Sequence, residues 1–366
     1  MNIVFLINEM MNSGPENVVY DIVANLDRTK YNPIIVTMRM ETEGKSIANK
    51  FKDLDVENRM VPFSTMQMQF RTSWVAKQIE NQLSDVDDYV VHAHTHFPVL
   101  IASKMMHKTV ATIHNISGED YVMKYGKILG NAMAFSFNHN LRNIDIPVAI
   151  SDYMSIYYQK YSNSNLTTIY NGVDVKTASE NKATLRKMLK LREDSYNIVV
   201  IGSVSPRKNT LYLIDQLKKS EDKDFNCLIV GSGVDLEVCK HSAGDDVRFR
   251  FEGFQNDVSN YLNMADLCIS ASLSEGLPLS VLEAINVGVP MLMSDIPPHK
   301  EIEAAMQMDA VKTFSLASDE LLSAFEKMKY QNFDTHALQK KAHELFSAKT
   351  MAEKYENVYE SLKNNI

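Results

Sequence analysis

The chain has little cysteine, glycine, proline or tryptophan: 3, 13, 10 and 1 residues respectively in 366. Cys227, Cys239 and Cys268 are scattered and odd in number, so they form no readable disulfide framework or zinc knuckle. A reducing compartment is the simple expectation. Scarce glycine and proline exclude a collagen-like or low-complexity chain. At 45% hydrophobic and 23% charged residues, the composition excludes a disordered one. Basic charge is short as well: 38 Lys and Arg face 46 Asp and Glu, for a net charge of −8. A non-specific nucleic-acid binder needs basic surface, so nucleic acid is not an expected partner. No apolar run reaches the roughly 18 residues that cross a membrane. Even Val287–Met293 is interrupted by Gly288 and Pro290. The opening MNIVFLINEM has no basic start and too short an apolar core for a signal peptide, and reads as a buried first strand. The expectation is a cytoplasmic protein, with peripheral contact at the inner face of the membrane left open.

What is present is alternation. Short apolar runs stand at Ile3–Ile7, Pro33–Met38, Tyr89–His92, Thr109–Ile113, Pro147–Ile150 and Thr167–Tyr170, with a weaker one at Val56–Pro62. The second half repeats the pattern at Asn197–Ser203, Cys227–Val230, Val247–Phe251, Leu267–Ser270 and Met291–Met293. Helix-like stretches lie between them, such as Glu16–Leu26, Ser73–Leu83, Leu211–Lys219, Val258–Met264 and Leu277–Val287. This predicts an α/β protein with parallel sheets covered on both faces. The pattern pauses at Asn171–Asp194, read as a linker. Two doubly wound domains result, 1–172 and 173–349, with His336–Phe346 and Met351–Leu362 as closing helices. Ligands of such sheets bind beyond the carboxyl ends of the strands, so the chemistry should lie in a cleft between the domains.

Four junctions are informative. After Leu267–Ser270 come Glu275, Gly276, Leu277, Pro278 and Leu279, then a helix carrying Glu283. Pro278 suits a first helical turn, and that turn's free N–H groups and dipole suit phosphate. The two glutamates suit sugar hydroxyls; the plain alternative is a capped helix with two solvated carboxylates. After Asn197–Val200, Arg207 and Lys208 stand where the chain enters a helix. Cations there can neutralise a diphosphate leaving group, or simply face solvent. LIVGSGVDL resembles a dinucleotide fingerprint, but Leu236 stands where the last glycine belongs, so a tight turn reads better. In NSGPENVV, Gly14 and Pro15 open another phosphate-facing turn or an ordinary helix.

The histidines are the remaining signal. His92, His94 and His96 alternate at a strand end, with His94 and His96 read as loop residues. No neighbouring ligand completes a metal set, so no metal is expected. His114 ends its strand and is better placed to bond a substrate, or is structural. Asp85, Asp87 and Asp88 precede a strand and read as a solvated loop. The 21 methionines read as core filler. The stretch Gly118–Asn143 reads either as a lipid-linked acceptor surface or as a buried helix.

Taken in order, these pieces resemble the retaining GT-B glycosyltransferases of family four. The markers are SGPENVV, VVHAH, TIHN, AISDYM, TIYNGVD, the G-x5-KN segment Gly202–Asn209, LIVGSG and SEGLPLSVLEA. The resemblance implies two Rossmann-like domains facing across a cleft, a C-terminal helix at about 350–366 packing back on the first, and transfer from a nucleotide-diphosphate sugar, most commonly a UDP-sugar. The acceptor would be a glycan or lipid-linked glycan of a bacterial surface polysaccharide. It implies that Glu283 binds the ribose, Glu275 the transferred sugar, and the Gly276–Leu279 backbone the diphosphate. Lys208 neutralises the leaving phosphate, with Arg207 beside it. Gly14 approaches the diphosphate, His114 contacts the sugar, and the Phe254 backbone meets the base. Neither metal nor cofactor is required. Ser203 stands where the family often has a diphosphate-binding arginine, and Ser13 replaces the first glycine of the GG loop. A silent partner subunit and a sugar-nucleotide epimerase are the competing classes.

Overall fold

A computed structural model describes residues 1–363 apart from 43–45, 164, 165, 177, 179, 193 and 319. The expected C-terminal helix thus loses 364–366 to the undescribed set, and the linker loses 177, 179 and 193. The chain forms two compact units, Met1–Gly172 with Ala348–Ile366, and Val173–Ser347.

The first unit holds β1 (Asn2–Ile7), β2 (Asn32–Thr37), β3 (Glu57–Met60), β4 (Tyr89–His94), β5 (Thr109–Ile113), β6 (Ile146–Ala149) and β7 (Thr167–Thr168). Their order is β3-β2-β1-β4-β5-β6-β7, and every pairing is parallel. The second holds β8 (Tyr196–Ile201), β9 (Phe225–Val230), β10 (Phe249–Gly253), β11 (Leu267–Ser270), β12 (Met291–Ser294) and β13 (Val311–Phe314). Their order is β10-β9-β8-β11-β12-β13, again all parallel. Both sheets are doubly wound, as the apolar runs require. All six residues of β4 are buried, which a sheet covered on both faces explains. In the second unit Ile198, Ile229 and Leu292 pack with Leu213, Leu217 and Phe325 of the covering helices. Each such side chain contributes roughly 1.5–3 kcal/mol by leaving water.

Each sheet reverses its winding once, between β1 and β4 and between β8 and β11. At such a switch point the loops at the strand carboxyl ends diverge and leave a crevice.

The final helix, Ala348–Lys363, packs on helix Gly14–Asn25 of the first unit. It buries Tyr355 and Tyr359 completely. Their hydroxyls are satisfied by Thr112 and His92, each at 2.7 Å. Burying a phenol without such a partner would be costly.

Several expectations need correction. Strand β13 went unrecognised, because VKTF mixes polar and apolar residues and Lys312 and Thr313 stay half-buried. The presumed linker contains helix Lys182–Met188, whose N-cap Asn181 accepts from the Thr184 N–H. His94 ends β4 and His96 begins helix His96–Ala102, so neither lies in a loop. Pro278 is the N-cap residue and helix Leu279–Asn286 starts one residue later. The methionines do not all fill cores: Met40, Met66, Met106 and Met123 are exposed. Asp85, Asp87 and Asp88 are exposed outside any helix or strand, as expected, and Asp85 there takes a two-pronged hydrogen bond from Arg59, which lowers its pKa.

Gly231 closes the turn after β9 against the backbone after β8. A Cβ there would fall 1.8 Å from the Gly202 carbonyl oxygen. Gly126, at φ +79, has open space around it. Gly231→Ala should therefore cost well over ~3 kcal/mol of stability, and Gly126→Ala, at φ 79 and ψ 170, only the ~1–3 kcal/mol of its backbone strain. Equal losses in urea unfolding would contradict this packing.

Candidate active site

In the second unit, the residues singled out by the sequence gather at the switch point. β8 ends at Ile201 and feeds the loop Gly202–Asn209. Asn209 adopts a left-handed conformation, φ 55, and starts helix Thr210–Lys218. β11 ends at Ser270 and feeds the loop that reaches Glu275. The two loops are joined: the Leu273 N–H donates to the Arg207 carbonyl at 2.8 Å.

Arg207 and Lys208 then converge on Glu275. Arg207 Nη1 donates to the Ser274 carbonyl at 2.8 Å and to Glu275 Oε2 at 2.5 Å. Lys208 Nζ lies 2.7 Å from Glu275 Oε1. The Glu275 side chain is only 7% exposed. Burial alone would raise its pKa, but the Lys208 and Arg207 cations outweigh it and hold the carboxyl at about 2. The group is a permanent anion between two cations.

His299 was missed. It is fully buried, and its Nδ1 lies 2.9 Å from the Ser294 carbonyl oxygen. Burial pushes it down to about 4, although the charge of Glu275 works the other way. Its one sequence signal is PPHKE at 297–301.

The other expected donor residues, Gly14 apart, belong to the same unit. Gly276, Leu277 and Pro278 are buried and Leu279 half-buried. Proline has no N–H, so Gly276, Leu277 and Leu279 are the donors of that segment. Glu283 sits on helix Leu279–Asn286, half-buried, close enough to Cys268 to raise its pKa alongside burial. Ser203 is exposed, its hydroxyl 3.2 Å from that of Ser205. Phe254 follows β10 and is 51% exposed. A broader depression at the amino ends of β8–β10 is lined by Arg192, Asp224, Arg248 and Arg250. Its arginines are held in ion pairs, Arg192 with Asp224, Arg248 with Asp246 and Arg250 with Glu252.

Gly14 and His114 belong to the first unit. Gly14 is the exposed first residue of its helix. Two residues on, Glu16 is buried with a raised pKa, and accepts from the Ser13 hydroxyl. At that unit's switch point Asn8 Nδ2 donates to Thr95 Oγ1 at 3.0 Å, and Thr95 has φ 71. His94 Nδ1 lies 3.0 Å from His114 Nε2. Burial drives His114 down to about 3 and His94 well below its usual value, so both rings are neutral at pH 7. One proton lies between them. His94 Nε2 is buried without a partner. An orphaned lone pair is less costly than an orphaned N–H. The proton therefore sits on His94 Nδ1, and His114 carries its own on Nδ1.

A family model matches each unit. The "Glycosyltransferase Family 4" model matches residues 12–177, and "Glycosyl transferases group 1" matches 181–344. The O-antigen biosynthesis glycosyltransferase WclY of Escherichia coli is 27% identical over 267 residues, 70% of this chain and 72% of that one. The E. coli UDP-Gal:α-D-GlcNAc-diphosphoundecaprenol α-1,3-galactosyltransferase is 32% identical over 142 residues, 36% of this chain and 37% of that one. Anabaena HepE, solved in complex with UDP-glucose, superposes with TM-score 0.78 at 17% identity, covering 99% of this chain and 100% of that one.

Neutral buried histidines have a pH consequence. The unfolded chain binds a proton at His114 below about pH 6.5, and the folded chain only near its lowered value. Stability should fall as pH drops from about 6.5, at up to ~1.4 kcal/mol per pH unit from this group. His114→Gln should flatten that slope in urea titrations; an unchanged slope would contradict the burial.

Proposed function

The chain belongs to the family-four glycosyltransferases and has their GT-B fold, and from that premise we propose that it transfers a sugar, with retention, from a UDP-sugar to a glycan or lipid-linked acceptor of a bacterial surface polysaccharide. The relatives support this reading: WclY acts in O-antigen biosynthesis, the galactosyltransferase is named for UDP-Gal and a diphosphoundecaprenol acceptor, and HepE holds UDP-glucose. The observation that carries it is the convergence of Arg207 and Lys208 on Glu275 at the second unit's switch point.

The donor diphosphate shares those two cations with Glu275. As the sugar–phosphate bond breaks, charge grows on the leaving phosphate, and a fixed ammonium at Lys208 stabilises it where it appears. The N–H groups of Gly276, Leu277 and Leu279 add partial positive charge from the helix start, and Gly14 lets the backbone come close. Arg207 and Lys208 stand in for the arginine absent at Ser203. A carboxylate has about four acceptor sites. Two of those on Glu275 face the cations, and the rest accept from sugar hydroxyls. Glu283 accepts from the ribose, and the Phe254 backbone meets the base. With the charge handled by side chains, no divalent metal or cofactor is needed. The location that fits such a donor is the cytoplasm.

His114 serves as a donor to the sugar. Its Nε2 is engaged by His94 and its Nδ1 bears the proton, so it has no lone pair free to act as a base. A general base must reach the acceptor hydroxyl with a free lone pair. The acceptor proton goes instead to the departing phosphate, on the face from which the nucleotide leaves, and configuration is kept.

A transfer assay in EDTA, with proton NMR of the product's anomeric signal, tests this. An α-linked donor should give an α-linked product with the chelator present. His114→Gln should slow transfer by at least about tenfold without changing the linkage. A β product, or activity lost in EDTA and restored by manganese, would overturn the mechanism.

A further inference from the structure

Three polar side chains of the second unit, Ser272, Ser294 and His299, are sealed completely from water. Buried polar groups must find partners, so the course of their hydrogen bonds shows what they hold. β12 ends at Ser294, and helix Pro297–Met306 begins three residues later. Pro297 and Pro298 fix φ in its first turn and so set where the His299 side chain starts. The ring turns back to the strand end, with Nδ1 2.9 Å from the Ser294 carbonyl oxygen and 3.1 Å from Ser294 Oγ. A carbonyl only accepts, so Nδ1 carries the ring proton. The Ser294 hydroxyl donates in turn to the Ser272 carbonyl at 2.6 Å. With its proton used there, Ser294 Oγ accepts from Nδ1. The column therefore runs in one direction, from His299 through Ser294 to Ser272.

Its far end is the Glu275 loop. Ser272 follows β11 and stands three residues before Glu275. The residues between are tied as well: the Leu273 N–H donates to the Arg207 carbonyl, and the Ser274 carbonyl accepts from Arg207 Nη1, each at 2.8 Å. β11 lies between β8 and β12 in the sheet. Arg207 thus grips the loop from the β8 side, and Ser294 grips it from the β12 side. Glu275 leaves a segment held on both flanks.

The ring is also near the ion cluster, since the charges of Glu275 and Lys208 act on it in opposite directions. Burial keeps it neutral at pH 7, with its pKa lowered to about 4. A protonated ring would be a third cation competing for Glu275; the neutral one leaves the carboxylate to Arg207 and Lys208. His299 Nε2 is a lone pair, buried without a partner. With no exposed surface, His299 reaches the donor only through the loop it supports.

We propose that His299 is a positioning residue for the donor site: through Ser294 and Ser272 it fixes the β11 loop, and so places Glu275 where Arg207, Lys208 and the donor meet. This rests on the donor reading given above. The chemistry of the column makes a sharp demand. Asparagine offers an amide N–H where Nδ1 stands, whereas glutamine offers one where Nε2 stands. Only the first can feed Ser294.

Hydrogen exchange at single amides, with titration of UDP, tests it on the full chain. Exchange of the Leu273 N–H should speed up by at least about tenfold in Ser294→Ala and in His299→Gln, because a buried bond in the column is lost. The Cys268 N–H, bonded to the Pro290 carbonyl within the sheet, should keep its parental rate. UDP should bind both variants at least about threefold more weakly, because the cations around Glu275 lose their fixed places. His299→Asn should restore both readouts to within about twofold of the parent. Parental exchange at Leu273 in Ser294→Ala would overturn the proposal, and so would rescue by glutamine but not asparagine. An equal rise at Cys268 would also overturn it, by making the column a matter of global stability. If UDP fails to bind the parent, the donor reading falls, and with it the role of His299 at a donor site; the exchange pattern then shows separately whether the column holds the loop.

Discussion

Glu275 lies in a loop, nearly buried, and stays ionised only because two cations reach it. A carboxylate stripped of water and left alone would be protonated or would drive the loop apart. The rest of the second unit's site follows from this requirement. Arg207 and Lys208 must approach from the β8 loop, so that loop is tied to the β11 loop through Leu273. The β8 and β11 loops can meet because those strands are neighbours in the sheet though distant in sequence. The winding that makes the fold also makes the crevice, and the ion cluster holds its walls.

The first unit solves its own switch point without charge. His94 and His114 are neutral, and Asn8 and Thr95 bond across the strand ends. The contrast is physical. On the proposed function, the second unit holds a diphosphate and needs fixed positive charge, whereas the first meets hydroxyls and needs oriented neutral donors.

Much of the fold was legible in the sequence. Thr109–Ile113 and Leu267–Ser270 match the expected strands residue for residue, because short apolar runs bounded by polar residues have one reading in a covered sheet. Val311–Phe314 escaped, since a strand paired only with β12 keeps polar side chains that blur the run. The Gly118–Asn143 stretch was ambiguous for another reason: its helices are apolar on both the packed and the exposed side, and periodicity does not separate the two. The site was legible as strand-end positions but not as a cluster. Arg207 and Glu275 are 68 residues apart, and only the sheet order brings them together. The tautomer of His114 was beyond reach as well, because it depends on the partner of His94.

The central claim is that the ion cluster at the β8–β11 switch point is where the donor's phosphates bind. Isothermal titration of UDP into the protein and into Lys208→Met tests it most directly. The account predicts that the parent binds UDP and that the variant binds at least about tenfold more weakly, a charge-assisted contact being worth ~1.5–3 kcal/mol. Equal affinity in the two proteins, with the variant folded, would contradict it.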